Sequence, residues 1–373
     1  MRLRPSVALI HHGQFSGCTA SLHGALAARM SVVDLDLLRL ARFPGLLRAR
    51  VRAAWEAQRT GRGTPWVKTG TWSRACQQWA EEHGFLAPHR PVLFLQTLSA
   101  FALDAAGPRY AVYTDRVSAE GASRDGIYAS RFTPAWRARE RVFLQRAERV
   151  FVMGPATRDV LEQEYGVPGW RVSVVGGGPN VPLSGPLRAD RCRALLFVGR
   201  EWEMKGGPLV VRAFQQLRRQ FPDLELLIVG CRPFVRPPAG VRVLGWVPRE
   251  GMDDVYSAAQ VLVVPGYKEA FGHAFVEGLI KGLPCVATCG GNQADLLADA
   301  GRCVPPGDVE ALRAALAEVI VRYPEYRRRA VRRGGELQER FAWDRIAGRI
   351  LAEFLEVTWA PGEDPACPTP GRC

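Results

Sequence analysis

A pair of glutamates eight residues apart carries the clearest chemical signal in this sequence. Glu269 and Glu277 follow the apolar run 261–264, which is typical of a buried parallel strand. Phe271-Gly272 is expected to open a helix, so that one carboxylate lies in the loop and the other about two turns later on the same helical face. The helix N-terminus between them has free backbone N–H groups and the positive end of the helix dipole, and both favour a bound phosphate.

A ligand with hydroxyl groups on either side of a diphosphate would suit this arrangement. Carboxylates accept hydrogen bonds from hydroxyls and repel phosphate, so the two glutamates are expected to hold a sugar and a ribose. The alternative is that both glutamates belong to the solvated face of a surface helix. The spacing alone does not choose between these two interpretations.

The length and composition of the chain describe a globular protein of two domains. Its 373 residues exceed one ordinary core, and 47% of them are hydrophobic while 23% are charged. No run of about 18 apolar residues is present to span a bilayer. Residues 1–5 lead directly into a strand-like run, without the apolar core of a signal peptide. We therefore expect a cytoplasmic protein.

The sequence contains no pattern that indicates a metal site or a disulfide framework. The nine cysteines are scattered, with no C-x-x-C pair and no metal-like grouping with histidine, so we expect reduced thiols. Asp34-Leu-Asp36 has the spacing of a D-x-D metal motif, but it follows Val32-Val33 as a strand end. We assign it no metal.

The formal net charge of +13 raises the question of nucleic-acid binding. Only 4 of the 50 basic residues are lysines, and the 46 arginines are spread through the whole chain. No RNA-binding, zinc-finger or helix-turn-helix signature accompanies them, so we expect no nucleic-acid partner. A basic face toward a phosphorylated donor or an anionic membrane is favoured instead.

Strands and helices alternate regularly in the second half of the chain. The predicted strands are 195–199, 225–230, 241–245, 261–264 and 284–288. The predicted helices are 207–221, 252–259, 293–298 and those that begin near residues 271, 308 and 324. Strands that end in glycine and lead into helices predict a Rossmann-like, doubly wound parallel sheet.

The first half is less regular but is also predicted to be α/β. Its predicted strands are 6–10, 91–95, 110–113 and 149–153. Gly and Pro concentrate around residues 173–182, so we place the interdomain linker near 178–193. The predicted domains are residues 1–180, joined by a C-terminal helix at about 343–358, and residues 190–342. The Pro-rich tail 360–373 is expected to be disordered.

Several short motifs in this order and spacing resemble glycosyltransferase family 4, the retaining enzymes of the GT-B fold. The motifs are Phe197-Val-Gly-Arg-Glu201 with Lys205-Gly206, the glutamate pair, Cys289-Gly-Gly291, Val304-Pro-Pro-Gly-Asp308 and Phe341-Ala-Trp343. The resemblance is strongest from about residue 150 to residue 354. It implies two Rossmann-like domains that face each other across a cleft, with an N-terminal acceptor domain and a C-terminal nucleotide-sugar donor domain.

The resemblance also implies roles for individual residues. Arg200 and Lys205 would hold the diphosphate of the donor, because two fixed cations and a helix N-terminus stabilise a leaving diphosphate without a metal. Glu269 would lie near the transferred sugar, and Glu277 would bind the ribose hydroxyls. Asp115 follows a strand and either faces the sugar or caps the strand end. The other expected donor contacts are Gly13, Gly17, Gly199, Phe271, Gly272, Gly290 and Gly291.

We therefore expect a metal-independent, retaining transferase that moves a sugar from a nucleotide-diphosphate sugar to an acceptor hydroxyl, with no cofactor besides that donor. A glycan, a lipid-linked molecule and a small molecule all stay open as acceptors. The alternatives are a nucleotide-sugar-binding protein without turnover and a sugar-nucleotide epimerase of the same fold. One departure from the family pattern is Asn292-Gln293, which stands where Pro-Glu is frequent.

The basic segment 39–55 raises the question of peripheral membrane contact at the inner membrane face. It is rich in arginine and offers Leu46, Leu47, Val51 and Trp55 for one apolar face. Such helices can lie on anionic membranes. A solvated helix packed on its own domain explains the pattern equally well.

Overall fold

The computed structural model describes residues 5–13, 17–60, 65–98, 100–103, 107–121, 132–186 and 189–355. Within these ranges twelve strands form two parallel sheets of six strands each. This confirms the predicted pair of Rossmann-like sheets. The tail 360–373 lies outside the described residues, so its predicted disorder stays a prediction.

The first sheet is built from the N-terminal part of the chain. Its strands run parallel in the order β2-β1-β3-β4-β5-β6. They are β1 (Ser6–His11), β2 (Ser31–Asp36), β3 (Val92–Leu95), β4 (Tyr110–Thr114), β5 (Arg149–Val152) and β6 (Val172–Val174). Every residue of β3 and β4 is buried, as expected for central strands that are covered on both faces.

The second sheet is built from the C-terminal part. Its strands run parallel in the order β12-β11-β10-β7-β8-β9. They are β7 (Ala194–Val198), β8 (Glu225–Val229), β9 (Val241–Gly245), β10 (Val261–Val264), β11 (Cys285–Thr288) and β12 (Gly301–Val304). Both β10 and β11 are buried throughout and rich in β-branched residues, which favours strand over helix.

Helices connect the strands of both sheets. In the N-terminal domain they are α1 (Cys18–Ala27), α2 (Leu37–Leu40), α3 (Leu47–Arg59), α4 (Gly70–Glu82), α5 (Pro134–Arg146) and α6 (Pro155–Gln163). In the C-terminal domain they are α7 (Gly207–Leu217), α8 (Met252–Ser257), α9 (His273–Ile280), α10 (Gln293–Leu297), α11 (Val309–Val321) and α12 (Tyr323–Arg340). A last helix, α13 (Trp343–Leu355), follows α12 after a short break.

Helix α13 returns from the C-terminal domain to the N-terminal one. Arg349 Nη1 donates to the carbonyl oxygen of Val174 at 3.1 Å, and Arg29 Nη1 donates to Asp344 Oδ1 at 2.8 Å. Ile346 and Ile350 on its inner face belong to a buried apolar cluster with side chains of α1 and of both sheets. The chain therefore crosses between the two domains twice. The exact domain boundaries stay a prediction.

Three features differ from what the sequence predicts: strand β6, strand β12, and the position of Glu269 relative to helix α9. Residues 172–174 were part of the Gly-Pro-rich approach to the linker, but they form the edge strand β6, and β12 was not predicted. The expectation that Glu269 and Glu277 share a helical face is wrong. Helix α9 begins at His273, so Glu269 lies four residues before it in the loop, while Glu277 is the fifth residue of the helix.

Every helix of the described chain is too short or too polar to span a bilayer.

Candidate active site

The order of the strands defines a crevice at the edge of the second sheet. The chain enters this sheet at β7, places β8 and β9 on one side of it, and then returns to place β10, β11 and β12 on the other. In open α/β sheets, ligands bind outside the carboxyl ends of the strands where this reversal occurs. Lys205 follows β7 and Glu269 follows β10, so these two predicted residues lie on either side of the reversal.

Lys205 and Glu269 form an ion pair in this crevice. Nζ of Lys205 lies 2.7 Å from Oε2 of Glu269. The two side chains are 22% and 19% exposed, so solvent or a ligand can reach them. A partly exposed ion pair contributes little to folding stability, which leaves both charges available to a ligand.

The loops that carry this ion pair pack tightly against each other. The backbone N–H of Tyr267 donates to the carbonyl oxygen of Met204 at 3.0 Å. A Cβ atom at Gly206 would lie 2.2 Å from the carbonyl oxygen of Pro265, and Gly206 has a φ of 75°. Only glycine fits this position, because both the close approach and the left-handed backbone exclude a side chain.

The other residues predicted near β7 have different environments. Gly199 is buried, and a Cβ there would lie 3.0 Å from Cβ of Lys205, so this glycine makes room for the lysine side chain. Arg200 is solvent-exposed and does not line the cavity beside Glu269. The structure therefore brings one of the two predicted cations into contact with the glutamate and leaves the other outside.

A cleft of about 360 Å³ opens beside Glu269. From the C-terminal domain it is lined mainly by Glu269, Ala270, Thr288, Gly290, Gly291 and Gln293. From the N-terminal domain it is lined by Ala119, Glu120, Val160 and Glu164. Both domains thus contribute to one cavity, as expected for an acceptor and a donor that meet between them.

The paired glycines after β11 shape the floor of this cleft. Gly290 and Gly291 have φ values of 121° and 61°, which residues with a side chain rarely adopt. The following Asn292 is buried and spans the two domains. Its Nδ2 donates to the carbonyl oxygen of Ala270 at 3.0 Å, and its Oδ1 accepts from the backbone N–H of Ala156 at 3.1 Å, in the first turn of α6.

The N-terminus of α9 faces the other domain. Gly272 is its N-cap residue, as predicted, with a φ of 105°. His273 follows, and its ring lies 3.1 Å from the carbonyl oxygen of Gly178 through Nδ1 and 3.2 Å from Sγ of Cys18 through Nε2. Loss of surrounding water lowers the pKa of His273 to about 4, so the ring is neutral near pH 7.

Phe271 and Glu277, both predicted to contact the donor, are buried. The ring of Phe271 packs edge-on against those of His273 and Phe341 at 5.2 Å and 5.5 Å. Glu277 accepts from the backbone N–H of Asn180 at 2.9 Å and from the Tyr256 hydroxyl at 2.7 Å. Its burial raises its pKa. Glu277 ties the interdomain linker to α9 and does not line the cleft.

The predicted glycine loop of the N-terminal domain is held by contacts within the protein. The backbone N–H of Gly13 donates to Oδ1 of Asp36 at 2.9 Å. Gly17 is the N-cap of α1, and its carbonyl oxygen accepts from Nη2 of Arg249 at 3.1 Å. Arg249 also donates through Nε to the carbonyl oxygen of Asn180 at 2.6 Å. This arginine therefore joins the glycine loop, the linker and the C-terminal domain.

Asp115 and Glu120 both follow β4, but only Glu120 reaches the cleft. Asp115 is buried, its carbonyl oxygen accepts from Oγ1 of Thr157 at 3.0 Å, and it does not line the cavity. Glu120 lines the cavity and accepts from the backbone N–H of Val117 at 2.8 Å and from Thr157 Oγ1 at 3.2 Å. Burial raises the pKa of Glu120 to about 7.

A buried carboxylate fixes the loop that carries Glu120. Glu140 on α5 is 0% exposed and accepts from the backbone N–H of Ser118 at 3.0 Å. It also accepts from the hydroxyls of Thr97, Ser118 and Tyr165. Because Ser118 precedes Glu120 by two residues, this network sets the position of the N-terminal wall of the cleft.

Of the predicted site residues, Glu269, Gly290 and Gly291 therefore share one cavity, and Lys205 contacts it through Glu269. The cavity residues that were not predicted as site residues include Glu120, Thr288 and Gln293. A signal for two of them was present, because Thr288 ends a parallel strand and Glu120 follows another, where functional side chains concentrate.

Comparisons with known proteins agree with this geometry. Residues 192–321 match the protein-family model described as group 1 glycosyl transferases. The chain is similar to a D-inositol 3-phosphate glycosyltransferase from Catenulispora acidiphila, with 29% identity over 255 residues, 59% of this chain and 60% of that protein. It is also similar to a phosphatidyl-myo-inositol mannosyltransferase from Mycolicibacterium smegmatis, with 32% identity over 179 residues, 45% of this chain and 46% of that protein.

The matched segment spans less than two thirds of either curated relative. Among solved structures, a sucrose-phosphate synthase from Thermosynechococcus elongatus superposes with a TM-score of 0.69 and 20% identity. That superposition covers 95% of this chain and 99% of the other. The likeness to this structure concerns the fold.

Proposed function

Residues 192–321 match the group 1 glycosyl transferases, and the chain has the GT-B fold; from these two findings we propose that it transfers a sugar from a nucleotide-diphosphate sugar to an acceptor hydroxyl. The observation that carries the proposal is the Lys205–Glu269 ion pair at the crevice of the second sheet, beside a cleft lined by both domains. A cation and a carboxylate next to each other suit a donor that has phosphate on one side and sugar hydroxyls on the other.

In the proposed reaction the diphosphate of the donor takes the place of Glu269 at Lys205. Lys205 then stabilises the negative charge that develops on the leaving diphosphate, and the N-terminus of α9 adds its backbone dipole. Glu269, released from the lysine, accepts from hydroxyls of the transferred sugar and stabilises positive charge at the sugar ring. The bond between the sugar and the diphosphate breaks, the acceptor oxygen forms the new bond to the sugar, and the proton of the acceptor hydroxyl passes to the leaving diphosphate. Arg200 would contribute only if its exposed side chain turns toward the bound diphosphate.

We propose that the reaction is metal-independent and retains the configuration of the sugar. The carboxylates of Asp34 and Asp36, which have metal-like spacing, are engaged with the protein: Asp34 accepts from His11, and Asp36 caps α2 through Leu38 N–H at 2.9 Å. The Lys205 side chain supplies a positive charge where a metal would otherwise act. The ribose-binding role of Glu277 stays a prediction.

The first experiment measures donor binding. We expect one class among UDP-, GDP- and ADP-sugars to raise the thermal unfolding temperature, because a ligand that binds only the native state stabilises it. Lys205→Met should reduce this rise, whereas Arg219→Met, a change of an exposed arginine on the surface, should not. Release of the nucleoside diphosphate in the presence of acceptor then separates a transferase from a protein that only binds its donor. If no nucleotide sugar changes the unfolding temperature, the proposed function is wrong.

We also propose that α3 rests on an anionic membrane surface. Leu47, Val51 and Trp55 lie at helical spacing on its outer face and are 48%, 60% and 58% exposed, while Ala53 and Ala57 pack inward. The exposed arginines around this stripe are Arg42, Arg48, Arg52 and Arg59. An apolar stripe bordered by arginines is typical of a helix at the boundary between head groups and acyl chains.

Co-sedimentation with vesicles tests the membrane proposal. The protein should bind vesicles that contain phosphatidylglycerol and should not bind pure phosphatidylcholine vesicles, because the arginines need anionic head groups. Trp55→Glu should abolish binding, whereas Trp170→Glu, a change of an equally exposed tryptophan in the turn before β6, should leave it unchanged. Equal binding of wild type and Trp55→Glu would contradict the proposal.

A further inference from the structure

Two buried polar groups on the wall of the cleft have no hydrogen-bond partner among the described residues. They are Oγ1 of Thr288 and Nε2 of Gln293, and the two residues are 8% and 4% exposed. Both residues line the cavity. Buried polar atoms are rarely left unsatisfied, since the loss of water hydrogen bonds is costly. These two groups are therefore placed to meet a polar ligand inside the cleft.

The opposite wall offers hydrogen-bonding groups and apolar surface. Glu120 is held from behind by Val117 N–H and Thr157 Oγ1, so its carboxyl group keeps a fixed position at the cavity. Ala119 and Val160 line the same wall and provide an apolar surface for the C–H groups of a ring. The cavity thus has a hydroxyl and an amide on one side and a carboxyl group with apolar neighbours on the other.

The charges of the cavity disfavour a phosphate group. Three acidic side chains, Glu120, Glu164 and Glu269, line it together with one lysine, Lys268, and the charge of Glu269 is balanced by its ion pair with Lys205. Burial raises the pKa of Glu120 to about 7. The negative charge of Asp115 also raises this pKa, and the positive charge of Arg116 lowers it. Near neutral pH the carboxyl group of Glu120 is therefore protonated in a fraction of the molecules. A protonated carboxyl group can donate as well as accept a hydrogen bond. Hydroxyl groups match such a lining, and anions do not.

We propose that this cavity is the acceptor subsite and that it binds an uncharged polyol, a sugar or cyclitol without phosphate. Thr288 and Gln293 bind its hydroxyls from the C-terminal domain, and Glu120 binds them from the N-terminal domain. The inference rests on the proposed transferase function and deepens it by naming the class of acceptor. The predicted site did not include Thr288, Gln293 or Glu120.

Matched probes test the class of ligand. Saturation-transfer NMR should detect methyl α-D-glucopyranoside or myo-inositol bound to the protein in the presence of the nucleoside diphosphate of the stabilising donor, which occupies the donor site without reacting. Glucose 6-phosphate and an inositol monophosphate should bind at least about tenfold more weakly, because the carboxylates repel them. The proposal is overturned if a phosphorylated probe binds as well as its neutral counterpart, or if no neutral polyol binds.

The variant Thr288→Val tests the residues. It keeps the shape of the side chain and removes a hydroxyl that has no partner within the described protein. The unfolding temperature should therefore stay unchanged or rise, while the dissociation constant for the polyol rises roughly 3–10-fold and that for the donor is unchanged. If the donor constant rises instead, the subsite holds the transferred sugar; if neither changes, the hydroxyl meets only water. Either result overturns the proposal.

Thr69→Val is the matched control. Thr69 is also buried, but its hydroxyl caps α4 by accepting from Trp72 N–H at 3.3 Å, away from the cleft. This change should lower the unfolding temperature and leave the polyol constant unchanged.

Donor binding by the wild-type protein distinguishes failure of the proposed function from failure of the acceptor proposal. If the wild-type protein binds no donor, the proposed function is contradicted. If it binds a donor but prefers phosphorylated polyols, only the acceptor class is contradicted.

Discussion

The sulfur of Cys18 lies 3.2 Å from Nε2 of His273, and this contact joins the first helix of the N-terminal domain to the helix after the Glu269 loop. The carbonyl oxygen of Gly178 can only accept, so Nδ1 of His273 carries the ring proton and Nε2 accepts from the thiol. Burial raises the pKa of the Cys18 thiol, which stays protonated. The pair is therefore a neutral contact between the domains and not a thiolate nucleophile with its base.

We predict that protonation of His273 destabilises the protein in acid. The folded-state pKa of about 4 lies below the ordinary value of 6.5. The stability linked to this ring is present above about pH 6.5 and is lost as the pH falls through about 4, because the unfolded chain binds the proton more readily. In His273→Asn the loss of unfolding free energy between pH 6.5 and pH 4 should be smaller by about 1–3 kcal/mol, as measured by urea unfolding at each pH.

His89→Asn is the control for this measurement, because His89 is exposed. Its stability should follow the wild-type curve across the same range. His12, whose pKa burial lowers to about 3, contributes equally to both proteins and drops out of the comparison. A pH profile of His273→Asn parallel to that of the wild type would contradict the prediction.

We predict that Asn292 holds the two domains together. Its amide oxygen accepts from Ala156 N–H at the start of α6, where the N-cap residue Gly154 offers no side chain. Asn292→Ala removes this cap and the bond to Ala270, so the unfolding free energy should fall by about 1–2 kcal/mol. Hydrogen exchange at the Ala156 amide should become faster in the folded protein, because this amide donates to a side chain of the other domain.

Asp308→Ala provides the comparison for Asn292→Ala. Asp308 caps α11 within its own domain by accepting from Ala311 N–H at 2.8 Å. This variant should lose about 1 kcal/mol of stability without any change in exchange at Ala156. If Asn292→Ala behaves in the same way, its side chain stabilises the protein but does not couple the domains.

We predict that Lys205 acts in the transition state more than in folding. Lys205→Met should lower kcat about 100- to 1,000-fold, because it removes a fixed positive charge from the leaving diphosphate. Its unfolding free energy should change by less than about 1 kcal/mol, since the ion pair with Glu269 is partly exposed. Initial rates at saturating donor, together with urea unfolding, separate the two effects.

Lys281→Met should show the opposite behaviour. Lys281 is 1% exposed and donates to Ser184 Oγ at 2.7 Å and to Asp253 Oδ1 at 2.8 Å. Lys281→Met removes a buried ammonium group and its bonds to Ser184 and to Asp253, whose side chain is 24% exposed, so it should cost about 1–2 kcal/mol of stability, while kcat of the folded enzyme is retained. A Lys205→Met enzyme with wild-type kcat would remove the central residue of the proposed mechanism.

The sequence predicted the two parallel sheets of the fold, which the structure confirms, and the resemblance to a glycosyltransferase family, whose group 1 model matches residues 192–321. Local patterns suffice for this, because buried strands, glycine turns and the Glu269 loop lie within short segments. The resemblance to the family pointed to Lys205 and Glu269, which follow neighbouring strands at the reversal of the second sheet. That part of the site depends on topology, which the alternation of strands and helices already fixes.

The rest depends on contacts between distant segments. Glu277 was expected to face a ligand, but its carboxylate is taken by Asn180 and Tyr256, 97 and 21 residues away. Glu120 reaches the cleft only because the N-terminal domain closes against the C-terminal one. Gln293 stood out as a departure from the family pattern, yet only the structure shows that its amide lines the cavity. Such relationships are absent from any local pattern.

We predict that Glu140 sets the N-terminal wall of the cleft from inside the core. Its carboxylate accepts from Thr97, Ser118 and Tyr165, and none of it is exposed. Glu140→Gln replaces an acceptor by an amide that faces these donors, so the unfolding free energy should fall by about 2–4 kcal/mol. Thr97→Val removes one hydroxyl donor to Glu140 and should cost about 1 kcal/mol.

Both variants are compared by urea unfolding and by polyol binding at a temperature where each remains folded. Glu140→Gln should weaken polyol binding severalfold, because Ser118 loses the bond that positions Glu120 two residues later. Thr97→Val leaves the bonds from Ser118 to Glu140 in place and should keep the wild-type polyol affinity. Loss of stability in Glu140→Gln without loss of polyol affinity would mean that Glu140 supports the fold alone, and that the wall of the cleft is positioned from its other side, through Thr157.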